Sequence, residues 1–297
     1  MADKHHIPVM AEQVQEYCPL PKDGCLVDCT IGLGGHARLM TQRLGSDGHL
    51  IGIDRDKHSL AIARTALEPC SAKIDLVHDD YRQLDRILDA LHVDQVDAIL
   101  FDLGISSFQL NNAARGFSFR ADGPLDMRIN QDSFVSAYDL INNLSEKEIS
   151  LILKNYGQER WHHRIARYLV ELRSKAPIET TGELRQAVLR AMPPGQRRQK
   201  IDPATRTFQA FRIAVNRELE SLEMALKKVP RYLKRQGRLC VISFHSLEDR
   251  IVKQTLRVFA AQHILKIVVK KPLRPSEKEI QSNQRARSAR LRIAEKI

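Results

Sequence analysis

The stretch Asp28-Cys-Thr-Ile-Gly32-Leu-Gly34-Gly35-His36-Ala37 decides the fold. The apolar run Cys25-Leu-Val leads into it and a helical pattern over residues 36–44 leads out, so it reads as a strand-to-helix turn. Glycines there let the chain bend tightly and bring its backbone close to a ligand. Outward from this turn the alternation repeats. Residues 25–30 form strand one, 49–54 strand two, 74–78 strand three and 97–102 strand four; helical patterns at 57–67 and around Leu84, Ile87, Leu88 and Leu91 separate the later strands. Strand four, Asp97-Ala-Ile-Leu-Phe-Asp102, is a continuous apolar run, as expected where helices cover both faces of a parallel sheet. The pattern predicts an α/β, doubly wound, Rossmann-like domain.

The rhythm stops after strand four. Helical segments near 146–153, 161–173 and 181–191 predict an inserted all-helical domain over residues 109–205, with 1–108 and 206–297 forming the α/β domain around it. Beyond the insertion, Phe208, Phe211, Val215, Leu219, Leu222, Leu226 and Val229 share one helical stripe, which predicts a single long helix on the core. Strand five covers 238–244. A last strand near 289–293 alternates Ala289, Leu291 and Ile293 with Arg290 and Arg292, which reads as half exposed.

With 297 residues, 43% hydrophobic and 28% charged, the composition is globular and ample for a core. No apolar run approaches the ~20 residues of a membrane-spanning helix. The amino-terminal residues carry neither a signal nor a transit pattern, so a cytoplasmic protein is expected. None of the five cysteines forms a C-x-x-C pair, and the pairs His5-His6 and His162-His163 lack helical i, i+4 spacing; reduced thiols and no metal are expected. Residues 1–150 hold 14 Lys and Arg against 23 Asp and Glu, whereas residues 151–297 hold 33 against 13. Basic clusters at Arg197, Arg198 and Lys200, at Lys227, Lys228, Arg231, Lys234, Arg235 and Arg238, and at Arg285, Arg287, Arg290 and Arg292 sharpen the contrast. Such a half is the expected footprint of a polyanion partner, nucleic acid before membrane.

The spacing Gly32-x-Gly34-x-x-Ala37 fits a dinucleotide-type fingerprint, and Asp54, ending strand two, is placed to accept both hydroxyls of a ribose. NAD and S-adenosylmethionine (SAM) both carry that ribose. Asp28 favours SAM: a carboxylate ending strand one can face the ammonium of a methionine moiety, whereas a bare helix N-terminus suits a pyrophosphate. A polar turn cap is the plainer reading of Asp28. At the end of strand four, Asp102-Leu-Gly-Ile-Ser-Ser107 occupies the edge where such sheets bind ligands. The amine of cytosine or adenine is a poor nucleophile because its lone pair is delocalised into the ring. A hydrogen-bond acceptor at this edge can turn that lone pair toward a sulfonium methyl. Asp102, with Ser106 or Ser107, is the candidate catalytic acceptor, and holding the methionine end of SAM is its alternative role.

The loop over 115–128 interleaves Phe117 and Phe119 with Arg115, Arg120 and Arg128, which suits a splayed-out base or packing at a domain junction. Ser243-Phe-His-Ser-Leu-Glu-Asp-Arg250 lacks the Gly-x-Ser-x-Gly elbow of a hydrolase. His245 and Ser246 therefore read as lining the substrate side.

Taken together, these stretches resemble the RsmH (MraW) family, SAM-dependent cytosine-N4 methyltransferases of small-subunit ribosomal RNA. The resemblance is carried by His6-Ile-Pro-Val-Met10, the loop 28–36, Gly52-Ile-Asp-Arg-Asp56, Asp102-Leu-Gly-Ile-Ser-Ser107 and the loop 115–128. It continues through Pro203-Ala-Thr-Arg-Thr-Phe-Gln-Ala210, Val241-Ile-Ser-Phe-His-Ser-Leu-Glu-Asp-Arg250 and Arg285-Ala-Arg-Ser288, so it spans nearly the whole chain. It implies a class I SAM-dependent methyltransferase fold and methylation of N4 of a decoding-centre cytidine in 16S rRNA. It also implies SAM contacts at Gly34, Gly35, His36, Asp54, Tyr81, Asp102 and Gln109. The small ribosomal subunit is the implied partner, and a homodimer is compatible with the sequence. Tyr81 stands where Phe is common, Phe108 and Gln284 where Pro is usual, and Asp202 where His is usual. Two rival readings are an NAD-dependent oxidoreductase and a non-catalytic ribosome-assembly factor.

Overall fold

The computed structural model describes residues 8–196 and 201–297. His5-His6 and the cluster Arg197, Arg198 and Lys200 lie outside the described residues. The chain divides into two compact units, Met1–Gly104 with Leu219–Ile297, and Ile105–Glu218.

The first unit is built on a seven-stranded sheet: β1 (Cys25–Asp28), β2 (His49–Asp54), β3 (Lys73–His78), β4 (Val96–Asp102), β5 (Leu233–Ser243), β6 (Leu265–Ile267) and β7 (Arg290–Lys296). The order is β3-β2-β1-β4-β5-β7-β6. Strands β1 to β5 run parallel, β7 is antiparallel to β5, and β6 is antiparallel to β7. The three-residue β6 is too short to show a periodicity and escapes the sequence reading. The chain winds from β1 outward to β3, then returns to β4 on the other side of β1. The strand ends therefore part between β1 and β4, which opens the crevice where doubly wound sheets bind ligands. Asp28 and Asp102 end the two strands flanking it.

Alternate residues feed opposite faces. Val27, Ile51, Ile99 and Phe101 join Leu222, Leu226 and Val229 in one core, while Leu26, Leu50, Ala98 and Leu100 join Ala37, Met40, Leu60 and Ala63 in the other. Each fully buried aliphatic side chain contributes about 1.5–3 kcal/mol. Two covered faces explain the unbroken apolar run of β4.

The second unit is helical: Ser107–Asn111, Ala137–Asn143, Glu146–Gly157, His162–Arg173, Thr181–Ala191 and Ala204–Asn216. Ser136 with Asp139, Ser145 with Glu148 and Thr180 with Glu183 form capping boxes that satisfy amide groups at three of the helix starts. Phe117 is buried in this unit's core, and Phe119 meets Phe208 edge-on with ring centroids 4.9 Å apart. Arg115 donates to the carbonyls of Arg128 and Ile129. Phe117 is thus a packing residue, and Phe119 is half-buried against the same core.

One expectation fails outright. The single helix over 207–229 is two helices, Ala204–Asn216 and Glu218–Tyr232, separated by Arg217 at φ 51°. Asn216 holds the break, donating to the carbonyls of Met127 and Arg212 and accepting from the N–H of Ile129. Phe208 and Phe211 serve the helical core, whereas Leu222, Leu226 and Val229 serve the sheet. The structural division therefore falls at 104/105 and 218/219 rather than at 108/109 and 205/206.

The charge contrast between chain halves does not survive folding either. The sheet unit holds 29 Lys and Arg against 24 Asp and Glu, and the helical unit 18 against 12. Acidic early residues neutralise basic late ones: Asp85 binds Lys228 at 2.6 Å, Asp97 binds Lys234 at 2.9 Å, and Asp89 lies 3.7 Å from Arg231. Arg290 and Arg292, on the half-exposed face expected of β7, both clasp the buried carboxylate of Asp249 at 2.7 Å. No helix among the described residues is long and apolar enough to cross a membrane.

Candidate active site

The turn after β1 is held from three sides by backbone. The Ile31 N–H donates to the Ile53 carbonyl at 3.0 Å, the Cys29 N–H to the Leu100 carbonyl at 2.9 Å, and the Gly34 N–H to the Ile31 carbonyl at 2.8 Å. Gly32 and Gly34 adopt φ 52° and 83°, left-handed values that side chains with a Cβ adopt at a cost. Gly34 caps the helix Gly35–Thr41. Gly52 on β2 admits the turn: a Cβ there would lie 2.2 Å from Ile31 Cδ1.

Asp54 braces this turn. One of its carboxylate oxygens accepts the Gly32 N–H at 2.8 Å and the other the Asp56 N–H at 2.9 Å. The Arg55 backbone adds a third hydrogen bond, and the carboxylate keeps acceptor capacity for a ligand hydroxyl. Burial pushes the Asp54 carboxyl up to about 6 against the pull of those amides. Asp28 is 1% exposed and accepts the Thr30 N–H at 3.1 Å. Burial pushes its carboxyl up to about 7, with His36 opposing and Asp102 and Asp54 adding to the rise.

Thr30, which the sequence reading passed over, ties the two strand ends together: its hydroxyl accepts the Asp102 N–H at 2.6 Å. Its only signal is a hydroxyl two residues past the acid of β1. His36 Nε2 lies 3.6 Å from Asp102 Oδ2, too far for a hydrogen bond but close enough for charge attraction. Burial works to lower the His36 pKa, but Asp102, Asp28 and the Val9 backbone outweigh it and the value is raised. His36 Nε2 and Asp102 Oδ1 are buried with no hydrogen-bond partner among the described residues. Buried polar atoms without partners carry a large desolvation cost, so this pair marks where a polar ligand fits.

Gly34, Gly35, His36, Asp54 and Asp102 therefore converge at one strand edge. Tyr81, in the turn after β3, is fixed edge-on against Phe101 at 5.5 Å. Gln109 belongs to the helical unit, where its side-chain oxygen accepts the Ser106 N–H and the Ser106 hydroxyl accepts its own N–H. Ser106 is thereby a helix cap. His245 is one too: its Nδ1 accepts the Glu248 N–H, and Glu248 accepts the N–H groups of Phe244 and His245. The His245 Nε2 is buried without a hydrogen-bond partner among the described residues.

Carboxylates, in place of an open nest of amides, occupy the switch point of this sheet, and the protein falls in the class of Rossmann-like methyltransferases. The sequence profile of the MraW methylase family matches residues 3–297. The chain belongs to that family. It is 47% identical over 312 residues to the ribosomal RNA small subunit methyltransferase H of Geotalea uraniireducens, spanning all of both chains. The protein of the same name from Caldicellulosiruptor saccharolyticus is 43% identical over 98% of this chain and 99% of that one. Among solved structures, an rRNA methylase from Streptococcus thermophilus is similar at a TM-score of 0.46 and 11% identity, over 97% of this chain and 93% of that one.

Proposed function

We propose that the protein transfers a methyl group from SAM to the exocyclic N4 of a decoding-centre cytidine in 16S rRNA, in the cytoplasm where ribosomal subunits are assembled. The observation that carries this reading is the unpartnered Asp102 Oδ1 at the end of β4, beside the glycine turn. Bound SAM supplies an electrophilic methyl on a sulfonium. Asp54 accepts from the ribose with its remaining acceptor capacity, and Gly34 and Gly35 let the backbone approach the methionine moiety. Asp28 faces the ammonium, and His36 Nε2 donates to the carboxylate of that moiety. Tyr81 lies against the adenine, and Gln109 is the remaining contact that the family resemblance implies. That unit, with 18 Lys and Arg against 12 Asp and Glu, recognises the RNA.

Asp102 accepts one N–H of the amine, which draws the lone pair out of the ring and aims it at the methyl, a gain from positioning and electrostatics. The extra proton on the methylated nitrogen then passes to the Asp102 carboxylate. A covalent adduct on the base would need a thiolate, and the thiol pKa is raised well above the ordinary range for Cys29 by burial and for Cys240 by its hydrogen bond with Cys18 together with burial. The test incubates methyl-labelled SAM with small ribosomal subunits from cells lacking the protein and digests the RNA to nucleosides. N4-methylcytidine is expected, and label absent from cytidine would refute the reading.

A further inference from the structure

Several cations of the sheet unit are paired. Lys228, Lys234, Arg238, Arg290 and Arg292 are each held by a carboxylate within 3 Å. Residues 250–274 are different, with seven Lys and Arg and no Asp or Glu. All seven are exposed, and none has an ion-pair partner among the described residues. Arg250, Lys253 and Arg257 share one face of the helix Ser246–Ala261 through spacings of three and four. Lys253, Leu256 and Arg257 line one wall of a cleft whose other wall is Ile267, Val269 and Lys270. Like charges repel, and no carboxylate stands within this run, so this concentration is relieved best by a polyanion.

We propose that this cleft is a second RNA-binding surface, in which Lys253, Arg257 and Lys270 take backbone phosphates and the apolar walls between them pack a sugar or base face. It is separate from the methyl-transfer site. β6 stands three strands from β4 in the sheet, roughly 15 Å away at the usual strand spacing. An RNA touching both places is gripped over several nucleotides, which fixes its register. This proposal rests on the RNA substrate proposed above.

The test is the triple substitution Lys253→Gln, Arg257→Gln and Lys270→Gln, with a fluorescein-labelled fragment of small-subunit rRNA titrated at several salt concentrations. Loss of three phosphate contacts should weaken binding about tenfold to a hundredfold near 0.1 M salt and lower the log–log salt slope by about 2–3. SAM affinity measured by calorimetry should stay unchanged, and the Lys253→Arg and Lys270→Arg pair should keep full RNA affinity. Unchanged RNA affinity and slope in the triple variant overturn the proposal, even if the wild type transfers methyl groups. If the substitutions weaken RNA binding but the wild type methylates nothing, the surface stands and the enzymatic reading falls. Loss of binding to anionic phosphatidylglycerol vesicles alone, with RNA binding intact, also overturns the proposal.

Discussion

Lowering the pH from 7.5 to 5 should weaken SAM binding by about three orders of magnitude. The two carboxyls proposed to hold the cofactor titrate in this window, Asp28 at about 7 and Asp54 at about 6, both raised chiefly by burial. Asp28 must be ionised to face an ammonium, and Asp54 to accept from the ribose at full strength. Their raised pKa values mean that the competent form prevails above the window and is lost as the pH falls through it. At pH 5 the free protein carries Asp28 about 99% protonated and Asp54 about 90%, factors of roughly 100 and 10 that multiply to about 4 kcal/mol of lost affinity. The stability of the free protein should move the other way. These two groups bind protons more tightly when folded than when unfolded, so their contribution rises as the pH falls from about 7 toward 4. Asp28→Asn should cut the pH dependence of binding to about tenfold, leaving the Asp54 step. Calorimetric titration of SAM across the range measures this. An affinity that is flat from pH 7.5 to 5, or a full drop retained in Asp28→Asn, would refute the assignment of these carboxyls to the cofactor.

Asp102→Ala should lower kcat about 10²–10³-fold through lost alignment of the amine, with the folded state intact by circular dichroism; a variant that still methylates at the wild-type rate removes Asp102 from the chemistry. Gly52→Ala should cost about 1–3 kcal/mol, because its Cβ would lie 2.2 Å from Ile31 Cδ1 and 2.8 Å from Leu76 Cδ2. The strain should also displace the neighbouring glycine turn and weaken SAM binding, a joint loss that urea unfolding and calorimetry can read separately. Asp249→Ala leaves the guanidinium groups of Arg290 and Arg292 without their carboxylate and should destabilise the sheet unit by about 3–5 kcal/mol in urea unfolding.

The sheet, its glycine turn and the carboxylates at its strand ends were legible in the sequence because they are written locally. An apolar run of four to six residues followed by a helical period needs no distant partner to be recognised, whereas the strand order that opens a crevice between β1 and β4 was decided by the tertiary structure. The helices near 146–153, 161–173 and 181–191 were legible for the same local reason, whereas the short helix Ala137–Asn143 was not. Tertiary structure alone decided which surfaces those patterns meet. The stripe from Phe208 to Val229 has one unbroken spacing, yet Asn216 and Arg217 divide it between two cores. Arg290 and Arg292 alternate as half-exposed residues do, and the fold supplies Asp249 as their partner. The acidic and basic halves of the chain look like a footprint for a partner, but Asp85 and Lys228, 143 positions apart, show much of that contrast cancelling inside the molecule. A periodic pattern fixes which face of an element is apolar or charged, whereas what that face touches depends on contacts between residues far apart in the chain, which only folding brings together.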